Sequence, residues 1–553
     1  MLIDLLVLMD SFDYVIVGAG SAGSVLANRL SADGKYTVCV LEAGPPDWNP
    51  FIHIPAGFIK TISDGSINWL YETVPTEWTN GRAIKQPRGK TLGGSSSING
   101  HIYTRGNRLD YDNWAQRGNR GWGYADILPY FKRSEDRVGT GEDLFRGRGG
   151  PLKVTDIDWS HPLTEAFIEG CQTVGIPKTD DYNGKSQEGV SYSQRTIMGG
   201  RRMSVARAFL RPAMANDNLT VITRAHATGI VFDGKLAVGV SYKRGGANGK
   251  SQEVRARREV ILSGGAFNSP QLLQLSGIGE PEFLKSLGIN VRVALKGVGE
   301  NLRDHYAPRF TARVKNSDSI NERTKGLRLV QEIIKWGIGR KGVLSLSPTL
   351  VYCFWRSNPD IATSDLQMTF TPASYKEGVQ SELDDFPGMT IASWQQRPES
   401  SGYVRAASVD PFDMPLINPK YLENPMDQEV LLAGMKLARR LLQTEPLQPY
   451  FDFEVYPGAD VQSDDDLIQV AKERGTTTFH PCGSCRMGPD TDPTAVVDDQ
   501  LRVRGVEGLR VVDASVMPMI PSANLNAPTI MIAEKASDMI LAKTPPEPII
   551  IKD

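Results

Sequence analysis

Residues 14–23 read Tyr14-Val15-Ile16-Val17-Gly18-Ala19-Gly20-Ser21-Ala22-Gly23, and the fold can be worked outward from them. Four consecutive apolar residues mark a strand buried on both faces of a parallel sheet, and the Gly18-x-Gly20-x-x-Gly23 loop follows at once. In such a loop the first glycine allows a tight turn, the second lets backbone approach a pyrophosphate, and the third packs a helix against the strand. The phosphate then rests on the helix N-terminus. Val25, Leu26, Ala27 and Leu30 give that helix its apolar face, and Val38-Cys39-Val40-Leu41 is a second buried strand ending at Glu42. The whole is a β-α-β unit of about 30 residues. Glu42, roughly 20 residues beyond Gly23, is placed to accept a ribose hydroxyl. One dinucleotide is expected, nicotinamide or flavin, because the later Gly277-x-Gly279 lacks a third glycine.

Composition narrows the partners. The 553 residues carry 62 Lys+Arg against 64 Asp+Glu, a net charge of −2. No run of five like charges appears, so neither nucleic acid nor anionic lipid is an expected partner. Hydrophobic residues make up 40% of the chain, in stretches too interrupted to cross a membrane. Residues 1–9, MLIDLLVLM, include Asp4 and lack a basic region and a cleavage site, so they read as an N-terminal extension and not a signal peptide. Five cysteines in so long a chain do not form a disulfide framework, and a cytoplasmic location is expected. Cys482-x-x-Cys485 has no second pair, so no metal is expected.

The 54 glycines and 35 prolines fit a loop-rich chain, and residues 43–158 are mostly irregular apart from a helix near 125–134. Asp233-Gly234 turns a hairpin within residues 228–242. Strands are expected at 259–263, 365–371, 403–408 and 510–513, and helices from about 268, over 327–336, 427–442 and 527–540. The mixture of long helices and alternating strands over 310–474 suggests an α+β unit with its own antiparallel sheet.

Four separated segments carry a resemblance to the glucose-methanol-choline (GMC) oxidoreductases, a family of FAD-dependent alcohol dehydrogenases and oxidases, in its choline-dehydrogenase-like and alcohol-dehydrogenase branch. They are Gly18 to Gly44; Pro87-Arg88-Gly89-Lys90-Thr91-Leu92-Gly93-Gly94-Ser95-Ser96-Ser97-Ile98-Asn99-Gly100; Gly265 to Pro270 continuing to Gly279; and Phe479-His480-Pro481 with Cys485-Arg486-Met487-Gly488, Val512-Asp513-Ala514-Ser515 and Asn524-Leu525-Asn526-Ala527-Pro528-Thr529. The resemblance implies an α/β FAD-binding Rossmann-like domain (residues 10–157, 206–310 and 475–545) interleaved with an α+β substrate-binding domain (158–205 and 311–474), and a tail at 546–553. It implies FAD contacts from Gly18, Gly20, Ser21, Ala22, Gly23, Glu42, Ala43, Arg88, Gly89, Thr91, Gly93, Gly94, Ser95, Asn99, Gly100, His101, Ala227, Gly264, Asp513, Ala514, Asn526, Pro528 and Thr529.

By the same resemblance His480 and Asn526 form the catalytic pair. Oxidising an alcohol requires a base at the hydroxyl while hydride leaves the carbon for flavin N5, and an imidazole suits the first task. Asn526 would orient the substrate oxygen. His305 is expected to be structural. Where some choline-oxidising relatives bind FAD covalently through a histidine, this chain has Ile98, so non-covalent FAD is expected. Where those relatives carry a Glu for trimethylammonium, residues 348–355 have no acid. Leu350, Tyr352, Phe354 and Phe479 point instead to an apolar or aromatic primary alcohol, with electrons passing to an external acceptor, quinone or oxygen, and not to NAD. The alternatives are a choline dehydrogenase proper, or a lyase on the same fold.

Overall fold

The computed structural model describes residues 11–376 and 382–551. The extension expected at 1–9 lies outside these residues, as do the last two residues of the tail.

Two sheets organise the molecule. The first has seven strands in the order Leu219–Thr223, Val38–Glu42, Ser11–Val17, Ser251–Leu262, Leu236–Arg244, Ala225–Asp233, with Leu509–Val511 also paired to Ser251–Leu262. Its centre is parallel, Tyr14 to Val17 running beside Val38 to Leu41 on one side and Glu259 to Leu262 on the other. Tyr14, Val15 and Ile16 are at most 2% exposed, as a strand covered on both faces requires. The hairpin Ala225–Asp233 and Leu236–Arg244 joins antiparallel through Ser251–Leu262. Helices Ser21–Ser31 and Asn526–Ile540 pack together over this sheet in one large apolar core.

The second sheet has six strands in the order Phe451–Tyr456, Arg309–Val314, Gly388–Gln395, Leu366–Thr371, Val351–Trp355, Gly189–Tyr192. Every pairing is antiparallel. Strand alternation gives it two unlike faces. Met389 and Ile391 pack into a second core with Leu431 and Met435 of the helix Pro425–Leu442. Gly434 lets that helix approach closely, since a Cβ there would lie 2.2 Å from Ser393 Oγ. The alternate residues Thr390, Ala392 and Trp394 face a cavity between the two sheets.

The strand expected at 403–408 is Gly402–Arg405, and it belongs to a separate three-stranded sheet with Glu300–Leu302 and Leu416–Asn418. The strand Arg309–Val314 begins two residues before the inter-domain boundary expected at 311.

Candidate active site

A cavity of about 400 Å³ lies between the sheets, and its two ends are built differently. At one end the walls are main chain. Gly18 has φ +101° and an added Cβ would lie 2.5 Å from Ser263 O; a Cβ on Gly94 would lie 2.7 Å from Gly20 Cα. Two glycine loops therefore cross at van der Waals distance, tied by Gly93 N–H donating to Ala19 O at 2.8 Å. Glu42 accepts from Ala19 N–H (2.9 Å) and Gly44 N–H (2.8 Å). Burial pushes its carboxyl up to about 7, against those two hydrogen bonds and the attraction of Lys90. Asp513 accepts from Gly265 N–H, Ser269 Oγ, Ser515 N–H and Ser515 Oγ, at 2.9, 2.6, 2.8 and 2.5 Å. A buried carboxylate facing a groove with no room for a Cβ is what a ribose diol and a pyrophosphate need, so this end fits a dinucleotide.

Of the expected cofactor residues, Gly18, Gly20, Ser21, Ala22, Glu42, Ala43, Arg88, Gly89, Gly94, Ser95, Asn99, Gly100, Ala227, Gly264, Asp513, Ala514, Asn526 and Thr529 line this cavity. Five do not. Gly23 lies behind the loop, where a Cβ would lie 1.9 Å from Gly18 O, so it serves helix packing. Thr91 is fully buried and donates to Pro45 O at 2.8 Å, and Gly93 spends its N–H on the neighbouring loop. His101 turns away to Pro55 O, 3.0 Å from Nε2, and burial with Arg202 nearby holds it well below the usual histidine range. Pro528 is buried within the helix Asn526–Ile540.

His480 is 8% exposed, on the loop after Thr476–Thr477. Asp304 fixes that loop, accepting from His480 N–H at 2.8 Å and Thr477 Oγ1 at 2.6 Å. The partner of His480 Nε2 is the amide of Asn524, with Nδ2 at 2.9 Å. Asn526, the expected partner, instead accepts from Ser21 Oγ at 2.8 Å and ties the last helix to the first. Asn524 is oriented by two donors to its Oδ1, Tyr352 OH at 3.0 Å and Thr104 Oγ1 at 3.1 Å.

These partners fix the imidazole tautomers. His305 Nε2 lies 2.7 Å from Gln396 O, which can only accept, so that nitrogen carries the proton and His305 Nδ1 carries a lone pair. His480 Nδ1 is 2.9 Å from that lone pair and 2.8 Å from Thr478 Oγ1, and so is protonated. His480 Nε2 is left as the free base, accepting from Asn524. Burial pushes His305 down to about 4, and burial with His305 and Arg88 nearby holds His480 well below the usual histidine range. Both rings are therefore neutral at physiological pH. Arg88, pushed down to about 10 by burial, donates from Nη2 to Phe479 O at 2.8 Å.

The far end is a side-chain wall, the inner face of the second sheet. Pairing puts Tyr352 opposite Thr369, Thr369 opposite Ala392, and Ala392 opposite Arg309, one row across four strands. Thr371 and Thr390 form the next row. Tyr352 and Phe479 line the cavity as expected, but Leu350 and Phe354 do not. Leu350 is buried in the second core, and Phe354, two residues along the face of Tyr352, is covered by Tyr182 at 5.3 Å between ring centroids. Arg309, Thr369, Thr390 and Trp394 were not expected here, and nothing in the sequence marks them, because their position depends on strand register. Asn524 stands in the stretch that points to the site, two residues from the asparagine expected there.

Residues 12–307 and 398–533 match two family profiles, both described as GMC oxidoreductase. An oxygen-dependent choline dehydrogenase of Staphylococcus xylosus is 42% identical over 545 residues, 98% of this chain and 96% of that protein. The human mitochondrial choline dehydrogenase is 41% identical over 542 residues, 96% of this chain and 90% of that one. The crystal structure of pyridoxine 4-oxidase from Mesorbium loti superposes with a TM-score of 0.85 at 29% identity, over 95% of this chain and 98% of that one.

Proposed function

Because the chain belongs to the GMC oxidoreductase family, and so is an FAD-dependent oxidoreductase acting on CH–OH donors, we propose that it oxidises a primary alcohol to an aldehyde with His480 Nε2 as the base. The observation that carries this reading is the chain of contacts from Gln396 O through His305 to His480 Nε2, which aims one unprotonated nitrogen into the cavity. The alcohol O–H takes the place of Asn524 Nδ2 at that nitrogen and gives it its proton. Asn524 Nδ2 donates to the developing alkoxide, and Tyr352 OH and Thr104 Oγ1 hold the amide so that it cannot flip. His305 acts as a positioning residue, stabilising the His480 tautomer that has its lone pair on Nε2. FAD, when bound, would supply the hydride acceptor, Ile98 offering no nucleophile for a covalent link, and an external acceptor, oxygen or a quinone, would take up the electrons.

Choline, which the relatives' names suggest, fits this cavity poorly. Among the described residues its carboxylates are Glu42 and Asp513, both at the cofactor end and both engaged by main-chain N–H groups. Tyr352, Phe479 and Trp394 offer instead a surface for an apolar or aromatic carbon frame. Five buried cysteines, none in a disulfide, fit a reducing, cytoplasmic setting.

Anaerobic mixing tests the reading. Benzyl alcohol is expected to bleach the flavin band near ~450 nm faster than choline does, and His480→Ala to slow bleaching by roughly 10²–10⁴-fold while keeping FAD. Absence of bleaching by any alcohol, or an unchanged rate in His480→Ala, would overturn it.

A further inference from the structure

Arg309 stands apart from the other arginines of the interior. Arg105 and Arg146 are paired with Glu135, Arg439 with Glu454, and Arg202, which has no acid beside it, donates to Ile52 O, Ser96 O, Asn99 O and Asn99 Oδ1. Arg309 lines the cavity, and its side chain makes no hydrogen bond or ion pair with any described residue. Burial holds its guanidinium below the usual arginine range, and among the described residues Tyr375 acts on it electrostatically. A guanidinium carries five N–H donors in a planar fork, and here the fork opens onto the cavity with no partner among the described residues.

Its surroundings share the same bias. In the row that includes Arg309, Thr369 also faces the cavity, Tyr375 lines the same end, and neither hydroxyl has a partner among the described residues. Each is a donor, and no described carboxylate lines this end. Arg309 follows His305 by four residues on a largely extended run, which places its Cα roughly 13 Å from that of His305. Across the sheet row Arg309 stands three strands, roughly 14 Å at the usual strand spacing, from Tyr352, whose hydroxyl holds Asn524.

Resting on the alcohol oxidation proposed above, we propose that Arg309 anchors a carboxylate on the substrate, so that the enzyme takes an aromatic or apolar alcohol bearing a carboxylate at the end opposite the hydroxyl. The fork accepts a carboxylate through two parallel hydrogen bonds, Thr369 and Tyr375 supply further donors, and the frame between lies against Tyr352 and Trp394. The same charge repels a quaternary ammonium, so this pocket selects against choline by an added cation as well as by a missing acid.

Two measurements on the FAD-loaded enzyme separate this inference from the reading beneath it. The first is binding without turnover, following the flavin spectrum during titration with terephthalate, neutral dimethyl terephthalate and benzyltrimethylammonium. Terephthalate is expected to bind at least roughly tenfold more tightly than either isostere, and Arg309→Met to abolish the preference, with Arg309→Lys recovering part of it. Equal binding of anion and cation, or an anion preference that survives Arg309→Met, would overturn the inference whatever the enzyme oxidises. The second is kcat/KM for 4-(hydroxymethyl)benzoate against benzyl alcohol, expected to favour the acid by roughly 10- to 100-fold and to fall toward parity in Arg309→Met. An acid no better than benzyl alcohol overturns the inference and leaves alcohol oxidation standing; if no alcohol reduces the flavin while terephthalate still needs Arg309, the proposed reaction falls and the anion site remains.

Discussion

The cofactor end and the substrate end of the cavity are held by different parts of the chain. The first is shaped by main chain, with Gly18 and Gly94 packed at distances that admit no side chain. The second is shaped by side chains, with Arg309, Ala392, Thr369 and Tyr352 brought into one row by the register of four strands. A wall made of backbone tolerates almost no substitution, whereas a wall of side chains can change chemistry residue by residue without disturbing the strands beneath. One end can thus keep a single cofactor while the other is retuned for different alcohols.

Three measurements can break or sharpen this contrast. The largest effect is expected from Gly94→Ala. Its φ of +52° strains any other residue and its Cβ would overlap Gly20. With strain of ~1–3 kcal/mol added to that overlap, the protein should retain less than about a tenth of its flavin. Near-normal flavin content, read from absorbance per polypeptide, would mean the backbone wall yields and the contrast is false.

The next concerns the two asparagines at the junction. Asn524→Ala should slow flavin reduction by roughly 10²-fold, the usual cost of losing one donor at a developing oxyanion. Asn526→Ala loses a neutral hydrogen bond to Ser21 and should leave the rate within roughly threefold while loosening FAD. Stopped-flow rates and FAD dissociation separate them, and the reverse order would return the catalytic role to Asn526.

The smallest effect is expected from pH. An imidazole at its ordinary value of ~6.5 would lose about three-quarters of its base form on going from pH 8 to pH 6. Because His480 is held well below that value, its base form is lost only at more acidic pH, and the reduction rate should stay nearly level across this range. A rate falling several-fold by pH 6 would show that the cavity is wetter around His480 than its burial implies.

The same contrast explains what could be read from the sequence. Gly18-x-Gly20-x-x-Gly23 and Glu42 were legible because backbone proximity demands glycine, and a buried strand demands an unbroken apolar run. His480 was legible through its flanking residues. Asn524 and Asn526 differ only in which side of the helix start they occupy, where neither a period of 2 nor one of 3.6 applies, so spacing could not choose between them. Leu350 and Phe354 were expected in the pocket on the evidence of being apolar, but that property also describes core. Arg309 gave no signal, since a lone arginine in a strand acquires meaning only when its partners across the sheet are known.

The hydrogen bond between Ser21 and Asn526 joins residues 505 positions apart. At about 5–20 residues per second, a ribosome needs roughly 25–100 s to travel from one to the other. During that interval the first glycine loop is already made, while Asp513, Asn524 and the helix Asn526–Ile540 that covers Ser21–Ser31 do not yet exist. A nascent chain that lacks them therefore has no closed cavity to offer. Loss of the residues from Asp513 onward would remove the carboxylate and the helix that complete the site, so the first glycine loop is finished by residues some 500 positions away.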